Sequence, residues 1–189
     1  MRYKELHTTI TQLFIRPKTS WNAVIRQPLT FKKFLYRDWM PLAGLLCLVV
    51  FGLQLIHYSI LQSIGLSIIY FITMVGGFRI VYPITREYLC RKLNYSEQEV
   101  LSLIGHSYAI YFIFQSIGQA CGDLFIGQVF ILFSLLFIRT LYFGISELSN
   151  YQSQHQTNIL IISALSIIFI PMLIKQLLTI IFGIPAIHV

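Results

Sequence analysis

The side chains that could do chemistry in this chain lie within or at the ends of long apolar stretches, where a charge is unfavourable. They are Arg79, His106, Asp123, Arg139 and Lys175. His106 is the most internal titratable group of the five. A histidine at this depth can relay a proton or bind a ligand, or it can make a helix–helix hydrogen bond. The sequence favours the hydrogen bond and leaves the other role open.

The other four residues fall near the ends of the apolar stretches. Arg79 and Arg139 lie toward one end, and Asp123 and Lys175 toward the other. Long basic side chains can extend to the lipid headgroups from such positions. This explains why charged residues are found there without assigning them a catalytic role. Depth alone predicts two ion pairs, Asp123 with Lys175 and Glu147 with Arg79 or Arg139.

Motifs that carry catalysis are missing from the sequence. It has no H-E-x-x-H, no G-x-S-x-G and no phosphate-binding glycine loop. Cys47, Cys90 and Cys121 lack the paired spacing of a zinc or disulfide framework, which indicates three free thiols. His106 and Ser107 are adjacent, so on a helix they point about 100° apart and cannot pair as nucleophile and base. We therefore expect no catalytic site, no metal and no cofactor.

The chain that carries these residues has the composition of a membrane protein. Of its 189 residues, 56% are hydrophobic and only 11% are charged, whereas a soluble domain is about 25% charged. An apolar block of about 20 residues spans a bilayer as a helix. The predicted fold is an all-α, polytopic membrane helix bundle with five transmembrane helices, at about 41–57, 60–82, 100–117, 124–145 and 159–181, within a membrane domain covering residues 40–189. Residues 177–187 either extend the fifth helix or lie at the outer interface.

The connections between the five predicted helices are short. A tight outer hairpin joins the first two, and residues 83–98 form an inner segment. Ser96 and Glu99 make the S-x-x-E pattern of a capping box and predict that a helix begins there. Residues 149–158 are polar and uncharged, which predicts a second inner loop.

Residues 1–39 form a basic segment ahead of the first apolar block. Eight of the 14 Lys and Arg residues lie in it. Residues 3–15 have the apolar spacing of one helical face, and Pro17 and Pro28 divide the rest of the segment into two further short helices. Aromatic residues beside basic ones are typical of helices that lie in the headgroup plane, so we expect interfacial amphipathic helices. The alternative is that these helices fold back over the cytosolic mouth of the bundle.

The basic segment also predicts orientation and partners. Lys and Arg collect on the cytosolic side of membrane proteins, so the N-terminus is expected in the cytosol and, after five crossings, the C-terminus on the outer side. Anionic lipid headgroups are the expected partners at the cytosolic face, with another membrane protein or a second copy of the chain as alternatives. Nucleic acid is not expected, because no folded basic domain is predicted. The predicted contact residues are Arg16, Lys18, Trp21, Arg26, Lys32, Lys33 and Arg37.

The segment LFIRPKTSWNAVIRQ, followed by FLYRDWMPLAGLLCLVVFG at the first crossing, resembles the Yip1 family of small multi-spanning membrane proteins. A proline followed by an aromatic residue, Pro17 and Trp21, precedes five crossings, as in bacterial members of that family. The resemblance implies five helices with a cytosolic N-terminus and brings no catalytic residues. The short N-terminal region, without the D-L-Y-G-P motif of eukaryotic members, favours a bacterial cytoplasmic membrane.

Two functions are expected from these observations. The first is a non-enzymatic membrane protein that acts through lipid or protein contacts, as a membrane-organising or trafficking scaffold of the Yip1 type. The second is a small transporter or channel subunit with a polar path near His106, Gln115 and Gln119.

Overall fold

The computed structural model describes residues 3–26, 28–56, 58–93, 95–121, 124–148 and 153–182. Over these residues the chain forms seven helices and no strand. They are α1 (Tyr3–Ile15), α2 (Pro17–Ile25), α3 (Phe31–Gln54), α4 (Ile60–Leu93), α5 (Glu97–Ala120), α6 (Phe125–Leu148) and α7 (Ser153–Ile181). The last five are long and apolar enough to cross a membrane. The predicted all-α bundle with five candidate spans is therefore confirmed.

α5 lies at the centre of the bundle. Every residue from 101 to 112 is buried, and α3, α4 and α6 all pack against this helix. Its polar side chains account for the central position, because Ser102, His106 and Ser116 would be unfavourable against lipid. The hydroxyl of Ser116 lies 2.9 Å from that of Tyr70 on α4, so this polar pair is satisfied inside the bundle.

The outer faces of the other four long helices are apolar. Each of them carries leucines that are more than 60% exposed: Leu48 on α3, Leu61 on α4, Leu132 on α6 and Leu173 on α7. Large leucine side chains exposed on all four helices are unfavourable in water and stable against lipid chains. The bundle is thus polar at its central helix and apolar on its outer surface, as a multi-pass membrane protein requires.

α3 begins earlier than the sequence predicted. Thr30 is the N-cap, and the helix continues without a break from Phe31 to Gln54, so the expected boundary at residues 39 and 40 falls inside it. Residues Phe34–Trp39 form π-helical turns, and four of these six residues are buried. A π-turn shifts the register of a helix locally, and here Phe34 and Trp39 both face the core, whereas Tyr36 between them is exposed.

α4 is longer than its predicted span. It has 34 residues and continues through Pro83 to Leu93, so most of the inner segment expected at residues 83–98 is helical. At 1.5 Å per residue the helix is about 50 Å long, compared with a hydrocarbon thickness of about 30 Å.

The start of α5 agrees with the prediction. The Ser96 hydroxyl accepts a hydrogen bond from Glu99 N at 3.3 Å, and the Glu99 carboxylate accepts one from Ser96 N at 2.9 Å. This reciprocal pair is the capping box. It orients the first turn of the central helix immediately after the short connection from α4.

α7 begins at Ser153, so residues 153–158, which were expected in a polar loop, are helical instead. It ends at Ile181, which places residues 177–181 in the fifth long helix. Residues 149–152 and 183–189 lie outside the described residues, as do His57 and Asp123.

α1 and α2 pack against the side of the bundle. Leu13, Trp21 and Val24 are buried, and α2 contacts both α5 and α6. The ring of Trp21 packs on His106, whereas the ring of Phe14 lies 5.1 Å from that of Phe114. These two contacts are eight residues apart on α5, or about 12 Å along its axis. In the structure the two helices therefore run alongside α5, neither apart from the bundle nor only across its mouth.

Candidate functional site

Six of the seven predicted contact residues are exposed. We call this set the N-terminal basic surface; it consists of Arg16, Lys18, Arg26, Lys32, Lys33 and Arg37. Arg16 and Arg26 flank α2, and Lys32, Lys33 and Arg37 belong to the first turns of α3. Because these helices are packed against the bundle, the charges are held on a structured surface and not on a loose tail.

Trp21 is the exception among the predicted contact residues, because its side chain is 0% exposed. Its indole Nε1 donates a hydrogen bond to the carbonyl oxygen of Thr140 on α6 at 2.8 Å. A Cβ atom on Gly144, one turn further along α6, would lie 2.8 Å from the indole ring. A large apolar ring with one donor is best satisfied in such a groove, so Trp21 anchors α2 to α6 and does not face lipid headgroups.

Two further aromatic residues anchor the start of α3. Phe34 and Trp39 are each 1% exposed, and the ring of Trp39 lies 5.2 Å from that of Tyr108 on α5. The Trp39 indole Nε1 donates a hydrogen bond to the Met74 carbonyl oxygen on α4 at 3.3 Å. The segment that carries the basic surface is therefore fixed by buried aromatic rings, while its basic side chains are exposed and Asp38 is buried.

His106 lies beneath these anchors. Its Nδ1 is 2.8 Å from the carbonyl oxygen of Ser102, and because a carbonyl only accepts, Nδ1 donates this hydrogen bond; in the neutral imidazole Nε2 is then an acceptor. Among the described residues, Nε2 has no hydrogen-bond partner. The imidazole is enclosed by Trp21, edge-on at 6.3 Å, and by Phe34 at 5.8 Å. In this arrangement α2 and α3 cover the imidazole of His106.

The three residues of the transporter hypothesis do not share one face of α5. Gln115 and Gln119 follow His106 by nine and thirteen positions, which places them about 180° and 220° around the helix from it. Their side chains are half-buried, whereas His106 is covered on its own side by α2 and α3. The two glutamines therefore lie on the opposite face of the central helix from His106.

The predicted inner ion pair is replaced by a different contact. The carboxylate of Glu147 accepts a hydrogen bond from the side-chain amide of Asn22 on α2, and neither Arg79 nor Arg139 pairs with it. Both arginines are exposed, and the guanidinium carbon of Arg139 lies 5.9 Å from the centroid of the Phe143 ring. The packing of α2 against α6 brings Asn22 to Glu147. The estimated depth of Glu147 in the membrane did not predict this partner.

The outer ion pair, Asp123 with Lys175, stays a prediction. Asp123 is outside the described residues, and Lys175 is half-buried on α7. At the opposite end of the bundle the described residues form two ion pairs, Arg86 with Glu97 and Arg91 with Glu87.

Several residues that position the site escaped the sequence reasoning. They are Asn22, Ser102, Gly105, Thr140 and Gly144. A Cβ atom on Gly105 would lie 2.7 Å from the Phe34 ring, so this glycine permits the close approach of α3 to α5. The available signal was small residues inside long apolar helices, which commonly mark close helix contacts. The aromatic partners of the two glycines, however, are more than 60 residues away in the chain.

Comparisons of the chain with protein-family models, curated proteins and solved structures gave no match. The resemblance to the Yip1 family therefore stays a prediction from the sequence. Among the described residues, no group of three His, Cys, Asp or Glu side chains is arranged to hold a metal ion.

Proposed function

We propose that the protein is a non-enzymatic, multi-pass protein of a bacterial cytoplasmic membrane, of the Yip1-like type. It acts as a membrane-organising or trafficking scaffold through lipid or protein contacts at its cytosolic face. One observation carries this proposal. Within residues 13–39 the anchoring aromatic side chains Trp21, Phe34 and Trp39 are buried in the bundle, while the six residues of the N-terminal basic surface are exposed.

This arrangement supports a contact role for a physical reason. A basic residue near an anionic membrane contributes about 1 kcal/mol of attraction, so a single lysine binds weakly and a set binds well. A flexible segment would lose part of that gain in ordering its backbone on binding. The aromatic anchors already fix the backbone of α2 and α3, so these basic residues are preorganised for an anionic partner.

Charge distribution supports the orientation. Residues 1–39 contain eight Lys and Arg, and the connection between α4 and α5 follows Arg86, Arg91 and Lys92. The two predicted outer turns contain none. Under the positive-inside rule this bias favours a cytosolic N-terminus, which puts the N-terminal basic surface on the side where anionic lipids attract it.

The test is lateral enrichment of a fluorescent anionic lipid around the labelled protein in giant vesicles of phosphatidylcholine and phosphatidylglycerol. We expect enrichment with the wild type and its loss when Arg26, Lys32 and Lys33 are changed to Gln. The control triple variant changes Arg86, Arg91 and Lys92 to Gln, which removes the same charge from the end of α4 and should retain most of the enrichment.

A second measurement separates the scaffold from a transporter. Solute and proton flux are measured in sealed vesicles that contain either the wild type or His106→Ala. No flux above that of empty vesicles is expected for either protein. Flux that the wild type supports and His106→Ala lacks would contradict the proposal and favour transport.

A further inference from the structure

The lipid-facing residues of α7 locate the middle of the membrane. Exposed apolar side chains follow this helix from Ile161 to Ile181, a length of about 30 Å, which matches the thickness of the hydrocarbon. Pro171 lies halfway along this stretch. A Cβ atom on Gly77 of α4 would meet both the Pro171 ring and the Tyr108 hydroxyl of α5. The middle of the hydrocarbon therefore lies near Tyr108 on the central helix.

The charged end of the bundle agrees with this level. Arg86 and Glu97 form an exposed ion pair where α5 begins. Glu97 precedes Tyr108 by eleven positions, or about 16 Å along the helix axis. Because half of the hydrocarbon is about 15 Å thick, this ion pair stands at its edge, where charged side chains are stable. In the proposed orientation this is the cytosolic edge.

α1 and α2 reach the central level along the side of α5. Trp21 packs on His106, which is two residues from Tyr108 on the cytosolic side. Phe14 packs on Phe114, which is six residues from Tyr108 in the other direction. The corner between the two helices therefore lies within about 9 Å of the middle of the hydrocarbon.

The rest of α2 leads from this depth toward the cytosolic edge. Asn22, which follows Trp21, bonds to Glu147 near the C-terminal end of α6. Arg26 comes four residues later, about 6 Å further along the helix. Together α1 and α2 extend from about 10 Å on the cytosolic side of the middle to about 9 Å on the other side.

The outer face of α1 and α2 is polar at this depth. Between residues 8 and 26 the only exposed apolar side chains are Ile15 and Ala23. We call the exposed polar residues from position 12 onward the polar strip; it consists of Gln12, Arg16, Lys18, Thr19, Asn22 and Arg26. Residues 8–26 contain no Asp or Glu, so the strip carries three positive charges and no negative charge.

A continuous polar strip differs from the single arginines elsewhere at this depth. Arg37, Arg79 and Arg139 are exposed near the same level, but on three separate helices. One long side chain can extend to the headgroups from such a position. The shorter side chains of Gln12 and Thr19 cannot, so the strip is stable in a membrane only against water or other polar groups.

Charge favours a phospholipid headgroup over a second copy of the chain as the partner of the strip. Two facing strips would bring six positive charges together without an acidic partner, which is unfavourable. A phospholipid headgroup carries a phosphate, to which guanidinium and ammonium groups donate hydrogen bonds. Arginine at this depth also draws water into the hydrocarbon and thins the bilayer around it, which gives headgroups access to the strip.

We propose that the polar strip carries phospholipid headgroups between the two leaflets, so that the protein is a phospholipid scramblase. The headgroup moves along the strip in contact with water and polar side chains, while the acyl chains stay in the hydrocarbon. This lowers the barrier to flip-flop, which arises because a charged headgroup must leave water. The phosphate passes between Arg26, Lys18 and Arg16 and is held tightly by none of them, as permeation requires.

Lipid exchange between the leaflets tests this activity. The protein is placed in sealed vesicles of phosphatidylcholine and phosphatidylglycerol that contain a trace of NBD-labelled phospholipid, and dithionite is added outside. In protein-free vesicles only the label of the outer leaflet is lost. With the wild type we expect the label of the inner leaflet to be lost as well, and its retention would overturn the proposal. A water-soluble NBD compound trapped inside should stay fluorescent; its loss would indicate a pore and also overturn the proposal.

An apolar variant tests whether the strip is the path. Gln12→Leu/Arg16→Leu/Lys18→Leu should slow the loss of inner-leaflet label at least about tenfold, which corresponds to about 1.4 kcal/mol of barrier. The matched control, Arg91→Leu/Lys92→Leu/Gln98→Leu, makes the same three replacements where α4 ends and α5 begins, and should scramble at the wild-type rate. Equal rates for the strip variant and the wild type would overturn the role of the strip.

The scaffold role is tested with other residues, so the two proposals can fail separately. Loss of lipid enrichment when Arg26, Lys32 and Lys33 are changed, with leaflet exchange retained, concerns the scaffold alone. Slow exchange in the strip variant, with enrichment retained, concerns scrambling alone and shows that this variant is folded.

Water access to the strip provides a test that needs no loss of charge. In a background without the native cysteines, a single cysteine replaces Thr19 on the strip or Phe169, which is exposed on α7 two residues from Pro171. A small charged methanethiosulfonate reagent is added to membrane fragments, and labelling in SDS provides the maximum. We expect Thr19→Cys to react and Phe169→Cys to be protected. Protection of Thr19→Cys would mean that lipid chains or protein cover the strip, and labelling of both would mean that this level is not within the hydrocarbon. Either result would overturn the proposal.

Discussion

Among single residues, Gly105 and Gly144 determine how closely the N-terminal aromatic residues approach α5 and α6. Gly105 faces the Phe34 ring, and Gly144 faces the Trp21 indole. In an isolated helix a glycine is unfavourable by about 1 kcal/mol relative to alanine. Its presence at both contact points shows that space for an aromatic ring outweighs helix propensity there.

Gly105→Ala is therefore expected to destabilise the protein by about 1–3 kcal/mol, because the added methyl group would overlap the buried Phe34 ring. Gly52 on α3 provides a matched control, since no atom lies within 4 Å of a Cβ at that position. Gly52→Ala should leave stability unchanged or raise it by up to about 1 kcal/mol. Unfolding by SDS in mixed micelles measures both changes. Equal stability of the two variants would contradict the packing described for Gly105.

The cover that Trp21 provides over His106 can be tested chemically. Trp21→Ala should expose the imidazole, so modification of His106 by diethyl pyrocarbonate, read by peptide mass spectrometry, is expected to rise several-fold. Trp21→Phe retains an aromatic ring at this position, so His106 should stay protected. The variant loses the hydrogen bond to Thr140, which contributes about 1 kcal/mol. Thr19→Ala, at an exposed position on α2, is the control. Rapid modification of His106 in the wild type would show that α2 does not cover it.

At the scale of helices, the capping box fixes where the central helix begins. Ser96→Ala removes the acceptor for Glu99 N, and loss of an N-cap is expected to destabilise the protein by about 0.5–2 kcal/mol. Hydrogen exchange at the amides of residues 97–100 should become faster, while exchange near residue 108 stays slow. Gln98→Ala, at an exposed neighbouring position, should change neither quantity. Faster exchange along the whole of α5 would show that Ser96 has a wider role.

The helices also show which features the sequence can predict. Apolar periodicity and capping residues predicted α1 and the start of α5, because these signals are local. The predicted span ended at residue 82, before Arg86 and its neighbours, whereas the helix continues to Leu93. Arg, Glu, Leu and Lys are good helix formers, so charge ends the hydrocarbon span without ending the helix. In α3, likewise, basic residues and the apolar block that follows them belong to one continuous helix.

The candidate site was only half predictable. Basic residues at the N-terminus indicated a contact surface, because their charge is a local property that needs no knowledge of tertiary packing. The role of Trp21 could not be predicted, because its hydrogen bond joins residues 119 positions apart. The residues next to Trp21 in the sequence do not show whether its ring is exposed or buried; its contacts with Gly144 and the Thr140 carbonyl on α6 show that it is buried.

For the whole molecule, the centre of the bundle and its orientation depend on different residues. α5 lies in the centre, where its polar side chains are kept from lipid, whereas the proposed orientation depends on charges in the N-terminal segment and at the end of α4. The proposed contact function requires Arg26, Lys32 and Lys33 on the cytosolic side.

Topology reporters test that requirement. Green fluorescent protein, which fluoresces in the cytosol, and alkaline phosphatase, which is active outside it, are fused after Asn94, after Gly122 and after Val189. The charge bias predicts fluorescence only for the Asn94 fusion and phosphatase activity for the other two. Fluorescence after Val189 would mean an even number of crossings and contradict the five spans. The same fusions should be repeated with Arg26, Lys32 and Lys33 changed to Gln, because residues that orient a membrane protein can invert it when they are neutralised. A loss of lipid enrichment in that variant is evidence for a contact surface only if its fusions keep the wild-type pattern.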